Sequence, residues 1–240
     1  DASIDRATPN VVVLPGSTVE ISECVKVANA HGATIVPRGA GTGLSGGAIP
    51  LNDSVVIGVS RLNKILSVDV NNRTAIVEPG LVNIELSNHV GKYGLYYAPD
   101  PSSQKACTIG GNVAENAGGP HCLRYGVTTN HVIGLEVVLE DGSVVKLGDR
   151  FRGRPGYDLV GAFVGSEGMM GVVTQVIVAL LPEPQAVRTL LAVFPSIEQA
   201  SSTVSRIIGS GIIPTALEMM DSVAIRAVET AMSFGYPEDA

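Results

Sequence analysis

The chain has 240 residues and a formal charge of −7; 45% of it is hydrophobic and only 4% aromatic, with 28 Gly, 14 Pro and no Trp. That length supplies one large domain or one and a half, in a turn-rich globular composition. The acidic balance without a basic run excludes a nucleic-acid footprint, and no apolar run reaches the roughly 18 residues that a membrane span needs.

Val11 to Leu14 reads as a short strand closed by Pro15-Gly16. Ser17-Thr18-Val19-Glu20 has capping-box spacing. Ile21, Cys24, Val25 and Ala28 then recur at helical spacing until Gly32 stops the helix, with Cys24 expected as a small core residue. Ala33 to Val36 is a second strand, and it delivers the chain into Pro37-Arg38-Gly39-Ala40-Gly41-Thr42-Gly43-Leu44-Ser45-Gly46-Gly47, where five of eleven residues are Gly. Bare glycine backbone permits positive φ and lets successive N–H groups converge on one anion. With Arg38, Thr42 and Ser45 interleaved, the expected guest is a phosphate or pyrophosphate; read by itself, the stretch is equally a loose glycine-rich turn.

Gly41-x-Gly43-x-x-Gly46 is a formal match to the dinucleotide fingerprint, which requires a helix immediately after its glycines. Here Pro50 and a strand-like run from Ser54 to Val59 follow, so that reading is rejected. No Gly-Lys-Ser/Thr ending is present, which excludes a nucleoside triphosphatase loop. A strand–loop–strand cradle remains.

Leu66 to Val70 and Thr74 to Glu78 flank Asn71-Asn72-Arg73 as a hairpin. Val82 to Lys92 reads as a helix with Ile84, Leu86 and Val90 inward and His89 on its polar side. The stretch from Pro99 to Gly119 begins as an extended Pro- and Ser-rich loop. Thr108 then opens a short helix whose Gly110, Gly111, Ala114 and Ala117 leave one face nearly bare, suited to a flat ligand or to a close helix contact. Asn112 and Asn116, at i and i+4, would point the same way and suit edge-on hydrogen bonding.

His131 to Leu139 and Ser143 to Leu147 form a hairpin about Asp141-Gly142. His121 and His131 have no metal-ligand spacing and read as structural. A glycine-bounded loop, Gly165-Ser166-Glu167-Gly168-Met169-Met170-Gly171, feeds a long β run from Val172 to Leu181, and Pro182-Glu183-Pro184 is the best linker. Beyond it, Thr189 to Phe194, Ile197 to Ile208, Pro214 to Glu218 and Ser222 to Met232 alternate strand, helix, strand, helix. Cys24, Cys107 and Cys122 share no metal-ligand spacing, so no metal site or iron–sulphur cluster is expected within the chain. Their odd number fits a reducing compartment, the cytoplasm.

With these three loops in view, the chain resembles the FAD-binding domain of the vanillyl-alcohol oxidase / p-cresol methylhydroxylase superfamily, and within it the FAD-linked oxidases of the glycolate oxidase type. The likeness runs from about Val11 to Pro184. It implies an α+β fold: a PCMH-type FAD-binding domain of two α/β subdomains over 1–184, followed by the start of an α+β cap domain over 185–240. It implies FAD contacts from Pro37, Arg38, Gly39, Ala40, Gly41, Thr42 and Gly43, with Leu44 and Ser45 adjoining. The second segment would contribute Pro101, Ser102, Ser103, Gln104, Lys105, Ala106, Cys107, Thr108, Gly111, Ala114, Glu115, Asn116 and Ala117. The third would contribute Glu167, Gly168, Met169, Met170, Gly171, Val172 and Val173.

Members with flavin bound through histidine carry that residue near the end of the first loop; Thr42 stands there, so non-covalent FAD is expected. The resemblance implies oxidation of a small 2-hydroxy acid, glycolate or D-lactate, to the 2-oxo acid. Electrons would leave through iron–sulphur and second flavin-type subunits. The same superfamily hosts a flavin-dependent transferase of the alkyl-dihydroxyacetone-phosphate synthase type, and a non-catalytic FAD-binding assembly subunit is a third reading. The family places its acid/base and carboxylate-binding groups largely in the cap. No candidate general base is found here, and the chain, starting at Asp1 without Met, reads as a piece of something longer that holds FAD and turns over slowly or not at all.

Overall fold

The computed structural model describes residues 6–150 and 156–238. It divides into two compact units: the residues up to Gly119 together with Tyr125–Glu183, and Pro120–Arg124 together with the residues from Pro184 onward. In chain order the elements are β1 (Val11–Val13), α1 (Thr18–Ala30), β2 (Thr34–Arg38), β3 (Ser54–Gly58), β4 (Ile65–Asp69), β5 (Thr74–Val77), α2 (Asn83–Val90) and β6 (Leu95–Tyr96). Then come α3 (Ile109–Glu115), α4 (Cys122–Tyr125), β7 (Val132–Val138), β8 (Val144–Gly148), α5 (Leu159–Phe163), β9 (Val172–Ala179), β10 (Leu181–Pro182), α6 (Ile197–Gly209) and α7 (Ser222–Met232). The mix of helices and sheets is the α+β class that the family resemblance implies.

The first unit holds two main sheets. The smaller is parallel, ordered β1-β3-β2, with α1 as the crossover that parallel strands require. Ser17 caps α1 by accepting from the Glu20 N–H at 3.2 Å, while the Glu20 carboxylate accepts from the Gly16 N–H at 2.6 Å. The return bond of the capping box therefore reaches one residue further out than the spacing predicts. Strand β2 also runs further than expected: Pro37 and Arg38 pair with Ile57 and Gly58, so the first residues of the glycine loop are held in a sheet.

The larger sheet is antiparallel, ordered β4-β5-β9-β7-β8. Its core-facing side packs Val77, Val137, Val176 and Val178 against Leu86 and Val90 of α2 and Ile109 and Val113 of α3, all 2% exposed or less. Each such side chain contributes about 1.5–3 kcal/mol by leaving water. A second cluster, Ile21, Val25, Ile57, Val59, Leu62, Val138 and Val172, ties α1 and the small sheet to the ends of β7 and β9. At that junction the hydroxyls of Thr18 and Thr174 donate to Glu136 Oε1 at 2.8 and 3.0 Å. Pro182, expected in the linker, instead pairs with Leu95 beside the pairing of Leu181 with Tyr96.

In the second unit α6 and α7 form where the periodicity predicts, capped by Ser196 and Asp221. The strands expected at Thr189 to Phe194 and Pro214 to Glu218 do not form. Both segments have strand-like composition, but a strand exists only when a neighbour completes its hydrogen-bond ladder, and among the described residues neither finds one.

Candidate cofactor site

Three loops of the first unit meet around one cavity of about 420 Å³, within the roughly 300–1,000 Å³ of small-molecule sites. The first loop leaves the end of β2. Gly41 and Gly46 hold φ of 69° and 89°, which a branched side chain would resist. Among the described residues, the N–H groups from Gly39 to Gly47 donate to no backbone carbonyl. Backbone donors left facing a cavity are binding groups awaiting an acceptor. Gly39 has a second constraint: a Cβ there would run into Thr108 Oγ1, so only glycine lets the loop lie against the start of α3.

Thr108 is the N-cap of α3, its Oγ1 accepting from the Gly111 N–H at 3.2 Å. The small residues that follow turn two ways. Gly110, Gly111, Ala114 and Ala117 line the cavity, and Gly110 also packs on Pro79, which a Cβ would meet at 2.6 Å. The flat-ligand and close-contact readings of this face are therefore both realised. Asn116 does not extend the row. It leaves the helix as a left-handed C-cap with φ 49°, and its Oδ1 accepts from the Thr129 N–H at 3.0 Å. The expected alignment of Asn112 with Asn116 fails because the helix ends between them.

The third loop is pinned to α3. The N–H groups of Gly165 and Glu167 donate to the carbonyls of Val113 and Ala114 at 2.8 and 2.9 Å, satisfying groups that the end of a helix leaves open. Glu167 adopts a left-handed φ of 53° to do so. Beyond it Met169 and Met170 point outward, 84% and 49% exposed.

Of the residues expected at the site, Pro37, Arg38, Gly39, Ala40, Gly41, Thr42, Gly43, Leu44 and Ser45 line the cavity, as do Pro101, Ser102, Ser103, Thr108, Gly111, Ala114, Glu115 and Ala117. Glu167, Gly168, Gly171, Val172 and Val173 complete that set. Gln104, Lys105, Ala106, Cys107, Asn116, Met169 and Met170 lie outside the lining. The structure adds Val59, Pro79, Phe163 and Ser166, with Gly47, Ala48 and Gly118, and it places Gly110 and Asn112, already singled out on the second segment, on the same lining. Val59, Pro79 and Phe163 are ordinary core-type residues with no sequence signal of a site. Ser166 did carry one, its place inside the third glycine-bounded loop.

The ionisable residues on the lining are Arg38, Glu115 and Glu167, one cation against two carboxylates. The carboxylates stand at the Gly43–Gly47 end. A Cβ on Gly47 would lie 3.8 Å from Glu115 Oε1 and 3.7 Å from Glu167 Oε2, and Ser45 Oγ donates to Glu115 Oε2 at 2.8 Å. The cavity thus offers an anion the uncommitted backbone donors beside Arg38, and offers hydroxyl groups the acceptors at its other end. Cys107 is buried at 3% exposure; burial pushes its thiol up, with Ser103 and Asn112 pulling partly back. His131 is buried with Nε2 2.9 Å from the Tyr125 carbonyl, and His89 is exposed on α2. Among the described residues no histidine or cysteine lines the cavity and no metal-ligating cluster forms.

Comparison with known proteins matches residues 9–148 to a family described as FAD binding domain, and residues 183–240 to FAD linked oxidases, C-terminal domain. Glycolate oxidase subunit GlcD of Escherichia coli K12 is 49% identical over 235 residues, covering 98% of this chain and 47% of that protein. A D-lactate dehydrogenase of Anaerostipes hadrus is 36% identical over 225 residues, 93% of this chain and 47% of that protein. The chain thus spans about half the length of the curated relatives it matches. Among solved structures, alkyldihydroxyacetonephosphate synthase superposes with a TM-score of 0.75 at 30% identity, over 85% of this chain and 40% of that one.

Proposed function

This chain belongs to the FAD binding domain family, with FAD as its cofactor, and from that premise we propose that it is the cofactor-holding part of an enzyme oxidising a 2-hydroxy acid, glycolate or D-lactate, to the 2-oxo acid. The observation that carries the proposal is the convergence of three separate loops on one cavity with its glycine N–H groups uncommitted. Those residues fit FAD. Gly39 to Gly43, with Arg38, would take the diphosphate, since the carboxylates of Glu115 and Glu167 repel an anion from the far end of the loop. The same carboxylates suit the hydroxyls of the sugar portions, and Val59, Pro79, Phe163, Val172 and Val173 form an apolar wall suited to a flat ring. Thr42 stands on the lining with no histidine near it there, which supports non-covalent attachment.

The chemistry that FAD supplies when bound is acceptance of a hydride from the substrate carbon bearing the hydroxyl group. The chain's own residues bind and orient it: the loops fix the diphosphate, and the apolar wall excludes water from the ring. We further propose an electron-accepting iron–sulphur partner subunit and a place in the cytoplasm; no described helix is long and apolar enough to cross a membrane.

The test is the visible spectrum of the purified protein before and after acid precipitation, followed by anaerobic addition of glycolate or D-lactate. A flavin band that passes into the supernatant, and that bleaches with either acid, is the expected result. A colourless protein that takes up no added FAD overturns the reading of the site. A flavin left unbleached by any 2-hydroxy acid overturns the substrate class and favours the transferase, since a shared fold does not dictate the reaction.

A further inference from the structure

Each main sheet of the first unit ends in two outer strands, and an outer strand left bare is a template for another chain. Three of these four edges are guarded. β2 carries Pro37, which has no N–H to offer, and the charged Arg38. β4 has an irregularity between Ile65 and Ser67 and ends on Asp69. β8 carries Lys146, its side chain 77% exposed. β1 has none of these devices. Val11-Val12-Val13 pairs with β3 on one side and, among the described residues, with no strand on the other.

The bare edge is also apolar. Val11, Val12, Leu14 and Val19 are 49%, 58%, 50% and 71% exposed. Val13, Leu14 and Val19 line a shallow groove between β1 and the start of α1, together with the carboxylates of Glu20 and Glu23. Three consecutive β-branched residues favour an extended strand, and an apolar patch along a free edge marks an association surface.

The strand that fits such an edge must be unguarded too, and among the described residues of the main sheets β1 is the unguarded one. Set antiparallel about a twofold axis at Val12, two copies place Val12 opposite Val12 and Val11 opposite Val13, so every direct pair is valine on valine. The same register sets Asn10 opposite Leu14 and Thr8 opposite Gly16. It therefore carries the exposed Arg6 of one copy toward the groove of the other. In the described contacts, Glu20 meets Arg61 through Oε2 at 3.9 Å and Glu23 meets Lys26 through Oε1 at 2.8 Å, which leaves each carboxylate a second oxygen for that cation.

We propose that β1 is a self-association edge, where two copies of this chain pair β1 with β1 antiparallel and join their three-stranded sheets into one. An antiparallel strand pair inside an otherwise parallel sheet is a common arrangement. The joint lies on the opposite edge of the sheet from β2, the strand that leads into the first cavity loop, so the proposal stands independently of what the cavity holds.

The test is sedimentation velocity of the whole chain over a concentration series, with Val12→Lys and Val12→Cys. The Val12 side chain is more than half exposed, so both variants should melt as the parent does by circular dichroism. A concentration-dependent dimer is expected for the parent. Val12→Lys sets two like charges opposite one another and should raise the dimer dissociation constant roughly tenfold or more. Val12→Cys should form a covalent dimer on air oxidation, because directly paired strand residues fall within the disulfide range of about 4.4–6.8 Å between Cα atoms. Val144→Cys, comparably exposed on β8, should form none beyond the parent's background. If Val12→Lys folds poorly, Val12→Cys decides alone. A parent that stays monomeric at every concentration overturns the proposal. A dimer that survives Val12→Lys overturns it as well, since the contact then lies elsewhere, and so does a Val12→Cys that cross-links no better than Val144→Cys.

Discussion

Gly41 holds a φ of 69° in the middle of the first loop, and its consequence is directly measurable. Gly41→Val places a β-branched residue in the left-handed region, at about 1–3 kcal/mol of local strain, and sets its side chain where the diphosphate is proposed to lie. FAD binding should be lost by titration; flavin retention like the parent's would show that the loop is not the cradle. Cys107 makes the opposite kind of prediction. Burial raises its thiol and leaves it 3% exposed, and buried thiols are inert. Mass spectrometry after brief treatment with a thiol reagent at neutral pH should find Cys107 unmodified in the folded protein and modified in denaturant. At this scale the sequence was readable wherever a residue type has one dominant use. The glycine-rich stretch, the Asp141-Gly142 turn and the polar side of α2 that carries His89 are examples. Asn116 was misread because helical spacing says nothing of where a helix stops, and here its own left-handed turn ends α3.

Among the elements, α3 depends most on a single cap. Thr108 Oγ1 accepts from the Gly111 N–H and also lies against Gly39, so it starts the helix and seats the first loop together. Thr108→Ala should cost about 1 kcal/mol as a lost cap, a fall of about 2–4 °C in the melting temperature of a chain this size, measured by circular dichroism. An unchanged melting temperature would mean that the cap bond adds nothing. The hairpins, the helices and the β runs were legible because their periods and turns are local. The strands expected at Thr189 to Phe194 and Pro214 to Glu218 were not settled locally, because pairing is a property of the partner. For the same reason only part of the apolar wall was legible: Val172 and Val173 were expected there, whereas Val59, Pro79 and Phe163 reach the cavity only through the fold.

The cavity lining falls between Pro37 and Val173, inside the first unit. A chain ending after Glu183, which keeps the pairing of β10 with β6, should therefore bind FAD as the full chain does. Its melting temperature should rise with added FAD, since a ligand at 100 times its dissociation constant contributes about 2.7 kcal/mol. Loss of that rise in an otherwise folded truncation would assign part of the site to the second unit. The topology of the large sheet has one more consequence, for the order in which a ribosome delivers the pieces. Thr74 of β5 pairs with Ala179 of β9, so the hairpin of β4 and β5 must wait through the synthesis of everything between them with one edge unpaired. At about 5–20 residues per second that wait lasts several seconds, during which the glycine loop and α3 exist but the third wall does not. The nascent chain can acquire its flavin only after β9 has emerged, and until then its open strand edge is what chaperones have to cover.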